Sequence, residues 1–403
     1  MAGQAAAGGI PRYRAYRGWP LFANGFRPFF LLGAIQAGLA ILIWVPVFYG
    51  ELKLSSAFAP RDWHVHEMLY GYLPAIITGF LFTAIPNWTG RLPLQGTPLA
   101  TLVAVWLAGR LAVTFSASTG WWLAMLVDGS FLLLVVAAAA REIAAGRNWR
   151  NLPVIGLVTL LFAGNIAFHL EAHLHGVAEL GTRIGIAVVV LLISLIGGRI
   201  IPSFTRNWLV RENPGRLPVP FNRFDTVVVA LGALALASWI VVPDSRAAGV
   251  ALGIAGLAHL VRLSRWAGDR TLRERLLTIL HVGYFFVPLG FLLNAAASFG
   301  FMPSSAGTHA WMAGAAGIMT LAVMTRASLG HTGNALTASA GTQAIYAAII
   351  IAALARICAV IHTAQTDLLL HLAAGAWVIA FFGFALAYGP LLLRRDQRLR
   401  AAP

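Results

Sequence analysis

The sequence is short of everything that lets a chain of this size dissolve in water. Only 11% of its 403 residues are charged, against roughly 25% in ordinary soluble domains. That deficit excludes one or two conventional globular domains, because too few ionised side chains exist to hydrate their surfaces. Lysine is nearly missing, with Lys53 alone, and 14 acids stand against 29 basic residues. The single cysteine, Cys358, cannot close an internal disulfide, and its apolar surroundings read as a small buried hydrophobe. Thiolate metal sites are excluded with it, and no CxxCH is present to attach a c-type haem. The 41 glycines and 19 prolines follow no triplet period, and 59% hydrophobic residues exclude both collagen and disorder. Residues 1–20 carry Arg12, Arg14 and Arg17 but no apolar stretch ending in a small-residue cleavage site, so no removable signal peptide is expected.

Long apolar runs are what the chain has instead, with a mean hydropathy of +0.77. Twelve runs reach the length of about 17 to 25 residues that spans a bilayer as a helix. They are expected over 29–49, 64–86, 98–118, 121–140, 152–172, 182–201, 225–243, 247–264, 276–297, 309–330, 342–362 and 368–392. The fold class is therefore an all-α, polytopic bundle in one integral-membrane domain, 1–403. Arginines crowd alternate connections: Arg12, Arg14 and Arg17; Arg91; Arg141, Arg147 and Arg150; Arg206, Arg211, Arg216 and Arg223; Arg265, Arg270, Arg273 and Arg275; and Arg394, Arg395, Arg398 and Arg400. The other connections hold little beyond Lys53, Arg61, Arg183 and Arg246. The positive-inside rule then places both termini in the cytoplasm. The net charge of +15 is thereby topological, and no nucleic-acid partner is called for.

A short repeat joins the second, sixth and tenth runs: GFLFTAIPNWTGR (79–91), GGRIIPSFTRNW (197–208) and GIMTLAVMTRASLGHTG (317–333). Its four-helix spacing differs from the six-helix halves of major facilitator transporters. Three four-helix arcs would be similar to the core subunit of haem-copper oxidases.

Histidine is the residue with chemistry to offer inside such a bundle, where any ionisable group is costly. His64, His66, His169, His173, His175, His309, His362 and His371 fall near the periplasmic ends of their runs, and His259, His281 and His331 near the cytoplasmic ends. His309 and His331 share one helix yet lie about 33 Å apart, so they cannot hold one metal. His64 and His66 point about 200° apart on a helix and would serve different cofactors. Asp62 is positioned to cap that helix, and Glu67 to orient an imidazole or carry a proton. His169 and His173 form an i, i+4 pair in which His169 is the deeper member. His259, His362 and His371 are expected to reach toward water. Gly283, Gly314 and Gly317 leave room for a flat ligand or for close helix packing. Neutral imidazoles suit haem iron and copper, whereas Mg or Ca would want carboxylates that are scarce here. Arg110, Arg199, Arg326 and Arg356 lie in or at the ends of apolar runs and need an anion or carbonyl partner, such as a haem propionate.

The segments FRPFF (26–30), HVHEMLYGY (64–72), GFLFTAIPNWTGR (79–91), GRNWRNLP (146–153), IGGRIIPSFTRN (196–207), LHVGY (280–284) and MTLAVMTRASLGHTG (319–333) closely resemble the NnrS family. The resemblance implies an inner-membrane protein of denitrifying and nitric-oxide-stressed bacteria, associated with haem b and copper. It carries over to His64, His66, His169, His281, His309 and His331 as metal ligands, with His64, His66, His309, Arg199 and Arg326 toward a cofactor. The leading expectation is a protein that binds or reduces nitric oxide, with lipid around it and quinol or an electron-donor protein as the source of electrons. An oxidoreductase resembling nitric oxide reductase, a transporter, and a non-catalytic accessory protein for nitrosative stress all remain open at this stage.

Overall fold

A computed structural model describes residues 16–395; Arg12, Arg14, Arg398 and Arg400 of the charge pattern lie outside them. The described chain is a multi-pass, all-helical membrane protein. Its twelve apolar helices are α1 Phe26–Phe48, α2 Pro60–Thr89, α3 Thr97–Thr114, α4 Trp121–Ala145, α5 Trp149–His175, α6 Leu180–Glu212, α7 Arg223–Val241, α8 Arg246–Arg270, α9 Arg275–Ser298, α10 Ser304–Thr332, α11 Ala340–Ile361 and α12 Thr363–Leu393. Each one overlaps an expected run. Local chemistry sets several ends. Asn222 and Asp225 form a capping box on α7, Ser245 and Ser339 cap α8 and α11, and Gly90, Gly176 and Gly333 close α2, α5 and α10 in the left-handed conformation. The expected cap Asp62 is instead inside the first turn of α2, which Pro60 starts early after Ala59. Its carboxylate accepts from the Ala178 backbone N–H at 3.0 Å and ties α2 to the α5–α6 loop.

The arginine-bearing connections meet at one end. Arg27 at the start of α1 donates to the carbonyls of Leu392 and Arg394, the Asn148 amide donates to the Trp88 carbonyl, and Arg270 donates to the carbonyls of Asn213 and Pro214. At the opposite end Tyr49 bonds Asp367 and Arg61 pairs with Glu179. The two ends of the described chain thus share the arginine-rich face.

Helices α2, α6 and α10, with 30, 33 and 29 residues, are long and mostly buried and occupy the middle of the bundle, whereas α12, with 31, is largely exposed. Helix α6 packs on both others, α12 closes the ring onto α1, and the Tyr72 and Thr320 hydroxyls bond at 2.5 Å between α2 and α10. Each of the three widens into a π-helical turn: Glu67–Tyr72, Ile193–Gly197 and Ala310–Ala316. In α6 and α10 this turn ends at the start of the repeated motif; in α2 it lies about two turns earlier. A π turn frees backbone carbonyls, and two find side-chain donors here: Trp106 Nε1 to Gly71 and Arg262 to Ser194, both at 2.9 Å.

Close packing accounts for the glycines. A methyl group on Gly283, Gly314 or Gly317 would lie 3.0, 2.2 or 2.7 Å from Met319, Phe286 or Trp377, so these positions admit neighbouring side chains and not a flat ligand. Gly181 is tighter in consequence, because its added carbon would meet the backbone N and Cα of Phe168 at 2.6 Å. Gly181→Ala is expected to cost about 1–3 kcal/mol by prising α5 from α6. A thermal melt in detergent checks this; an unchanged midpoint would contradict the packing argument.

Candidate metal centre

Four helices build a buried polar cluster near the end opposite the arginines. His66 and Glu67 come from α2, Arg110 from the last turns of α3, Asp128 from the first turns of α4, and Asn165 and His169 from α5. All six are buried. His66 Nε2 lies 3.2 Å from Asp128 Oδ2 and 3.0 Å from Asn165 Oδ1, and His169 Nε2 lies 3.2 Å from the same Asp128 oxygen. The ligand atoms of His66, Asp128 and His169 fall within 4.8 Å of one another, a spacing that one metal ion could bridge.

Charge supports the same reading. Arg110 donates to Glu67 Oε1 at 2.6 Å and also bonds Asp128 Oδ1. Two carboxylates face one guanidinium, so the second needs a further cation, which a protonated imidazole of the cluster or a bound metal ion would supply, in a medium where an uncompensated charge is costly. Glu67 is further held by the Gln36 amide at 2.5 Å, and its Oε1 lies 3.5 Å from His66 Nδ1. That nitrogen is buried without a hydrogen-bond partner. Glu67 therefore stands behind the imidazole, where an orienting carboxylate belongs in a metal site. Phe58, from the loop before α2, stands against both rings with centroids 5.1 and 5.0 Å away.

His64 faces the other way, as its two-residue offset from His66 requires. It stacks on Trp44 of α1 with ring centroids 4.5 Å apart, and its Nδ1 is buried and unpartnered. His309 and Arg356 are within electrostatic reach of it. His309 Nδ1 bonds the Ser305 carbonyl at 2.6 Å, an arrangement that leaves Nε2 free. His64, His309 and Arg356 are half-buried, and α1, α2, α10 and α11 supply this second group. Both His66 and His309 are the last residues before a π turn, a feature concentrated at functional sites.

The remaining sequence candidates lie elsewhere. His281 Nε2 pairs with the Thr205 hydroxyl at 2.9 Å, and His331 packs on Phe26. Arg199 donates to Asn151 at 3.2 Å, and Arg326 lies over the Phe204 ring at 4.5 Å. These four belong to the arginine-rich half and do not join His64, His66, His169 or His309. His173 stacks on Trp121, and His371 on Tyr49. His259 does not reach water; it is fully buried, stacked on Phe291, with Nδ1 bonded to the Tyr284 hydroxyl at 2.9 Å. Beside it Arg262, also fully buried, donates to Asp225 Oδ1, the Ser194 carbonyl and the Tyr284 hydroxyl, each at 2.9 Å.

Residues 20–395 match the family described as NnrS protein, nearly the whole chain. The chain belongs to the NnrS family. Among curated proteins none matches it. Within this NnrS chain the match takes in every helix, so both the His66 cluster and the His64 group lie inside the family's own region. Sequence reasoning placed His66, His169 and Glu67 among its candidates but passed over Asp128 and Asn165. The signal was available: Asp128 is the one acid in the apolar stretch 121–141, a position where a carboxylate needs a partner.

Proposed function

We propose that this protein is a haem- and copper-associated metalloprotein of the bacterial inner membrane that binds nitric oxide. The observation that carries the reading is the buried set of two imidazole nitrogens and one carboxylate oxygen within 4.8 Å of one another. Such a nitrogen and oxygen set suits a copper or iron ion and leaves coordination positions for a small neutral ligand. In this reading His66, His169 and Asp128 hold the ion, Glu67 fixes the His66 ring, and Phe58 and Phe168 keep bulk water away. The bound ion supplies a Lewis-acidic, redox-active centre at which nitric oxide can be held.

Haem is assigned to the second group. His309, whose Nδ1 is taken by the Ser305 carbonyl, and His64, whose buried Nδ1 has no hydrogen-bond partner, would hold the haem iron, and Arg356 would pair with its acidic substituents. The arginine-rich face is assigned to the cytoplasm, which puts both cofactor sites toward the periplasm. Reduction of two nitric oxide molecules to nitrous oxide and water consumes two electrons and two protons. Glu67, bonded to Gln36 and Arg110, is the group positioned to carry protons, and electrons come from quinol or a donor protein.

His309→Ala is expected to remove the haem Soret band from protein purified in mild detergent after haem-supplemented expression, while the metal ion of the His66 cluster is retained. Retained haem in that variant would overturn the ligand assignment, and loss of both would show that the two sites are not separate.

A further inference from the structure

Two of the motifs, PNWTGR (86–91) and GRNWRNLP (146–153), hold no histidine and take no part in the buried cluster. The fold brings them together. The last turns of α2 and α4 and the loops that follow them enclose a cavity of about 550 Å³ at the arginine-rich end. Its floor is apolar, with Phe82, Ile85, Leu94 and Ala138, and its rim carries Arg91, Arg141 and Arg147. Glu142 is the acid on that rim; Arg91 bonds it, and Arg141 donates to it at 3.0 Å. Three guanidinium groups against one carboxylate leave the rim clearly positive.

Arg147 sets this cavity apart from an ordinary basic surface. Its φ of +51° lies in the left-handed region, which a residue with a Cβ adopts at a cost of about 1–2 kcal/mol. The neighbouring chain holds it there. Gly146 packs so closely that an added methyl would lie 2.5 Å from Thr89, and the Asn148 amide is bonded to the Trp88 carbonyl. The locked turn presents a guanidinium that makes no hydrogen bond or ion pair with any described residue. Trp149 and Leu152, next in the chain, are exposed, as expected of residues at the headgroup level of a bilayer.

We propose that this cavity is a binding site for an anionic phospholipid of the leaflet on the arginine-rich side. The phosphate would sit among Arg91, Arg141 and Arg147, and an acyl chain would lie on the floor of Phe82, Ile85 and Ala138. An apolar floor beneath a basic rim favours a lipid over a soluble anion, and the positive rim selects against a zwitterionic headgroup.

Native mass spectrometry of the full chain in detergent, titrated with dioleoylphosphatidylglycerol or dioleoylphosphatidylcholine, tests this. The phosphatidylglycerol adduct is expected to survive and the phosphatidylcholine adduct to be lost. Arg147→Gln and Arg91→Gln should each weaken retention roughly fivefold, the equivalent of one juxtamembrane cation at an anionic surface. Arg273→Gln, an exposed arginine on the same face but outside the cavity, should leave it unchanged. Ala138→Trp keeps every charge and fills the floor, so it should weaken retention as well, and it covers the case in which an arginine variant fails to fold. Equal retention of the two lipids, or an effect of Arg273→Gln matching that of Arg147→Gln, would overturn the proposal. Displacement of the lipid by inorganic phosphate would overturn it in favour of a soluble-anion site.

Discussion

Arg110→Met is expected to destabilise the protein by about 3–5 kcal/mol in the absence of metal, and added Cu(II) or Fe(II) is expected to restore a large part of the loss. The guanidinium of Arg110 is the cation that answers both Glu67 and Asp128. A methionine of similar volume preserves the packing but leaves two carboxylates buried beside each other, the situation in which removing one partner of a buried pair is most costly. A divalent ion held by His66, His169 and Asp128 would supply the missing charge. The contrast with His169→Ala makes the test specific. That variant removes a ligand but leaves Asp128 bonded to Arg110 and Asn165, so metal retention should fall with a smaller loss of stability. Melting curves of both variants with and without metal check the pair. Destabilisation of Arg110→Met that metal does not relieve would mean that the cluster is a structural ion-pair network and no more.

Arg262→Met should be comparably damaging, again about 3–5 kcal/mol, with no rescue by metal. The Arg262 guanidinium is fully buried and joins α6, α7, α8 and α9 through Ser194, Asp225 and Tyr284. Its loss strands the Asp225 carboxylate, which keeps Arg265 at 3.7 Å and the capping bond to the Asn222 backbone. It also empties the donor side of the carbonyl that the π turn of α6 exposes. The double change Arg262→Met with Asp225→Leu should therefore be less destabilising than Arg262→Met alone, because no buried charge is left over. A double variant as unstable as the sum of the two singles would contradict this account. Binding of metal and of haem should be unaffected in the folded fraction, since this network lies at the other end of the bundle.

These two networks also mark where the sequence could be read and where it could not. The twelve helices were legible because a bilayer imposes length and hydropathy on each segment separately, and the separation of His64 from His66 followed from helical geometry alone. The π turns in α2, α6 and α10 were not legible, since an extra residue in a helical turn leaves no mark on hydropathy. His259 was read as reaching water because it stands near Arg262 at the end of an apolar run. Both side chains in fact turn inward to Tyr284, and which face of α8 meets α9 is a property of the bundle and not of the segment. Asp128 was missed for a different reason. Attention to imidazoles and guanidiniums passed over a lone carboxylate, although Arg110 stands only a short loop away in sequence and required an acid near that depth. The Arg147 turn was hidden as well, because nothing in GRNWR indicates that arginine, and not the adjacent Gly146, adopts the positive φ.

The most direct test of the central claim is the optical and electron paramagnetic resonance spectrum of the purified, copper- or iron-loaded full chain, recorded before and after addition of nitric oxide and repeated with His169→Ala. The account predicts that nitric oxide changes the spectrum of the metal in the wild-type protein and that this change is lost in the variant. A metal spectrum indifferent to nitric oxide, or a response that persists without His169, would contradict it.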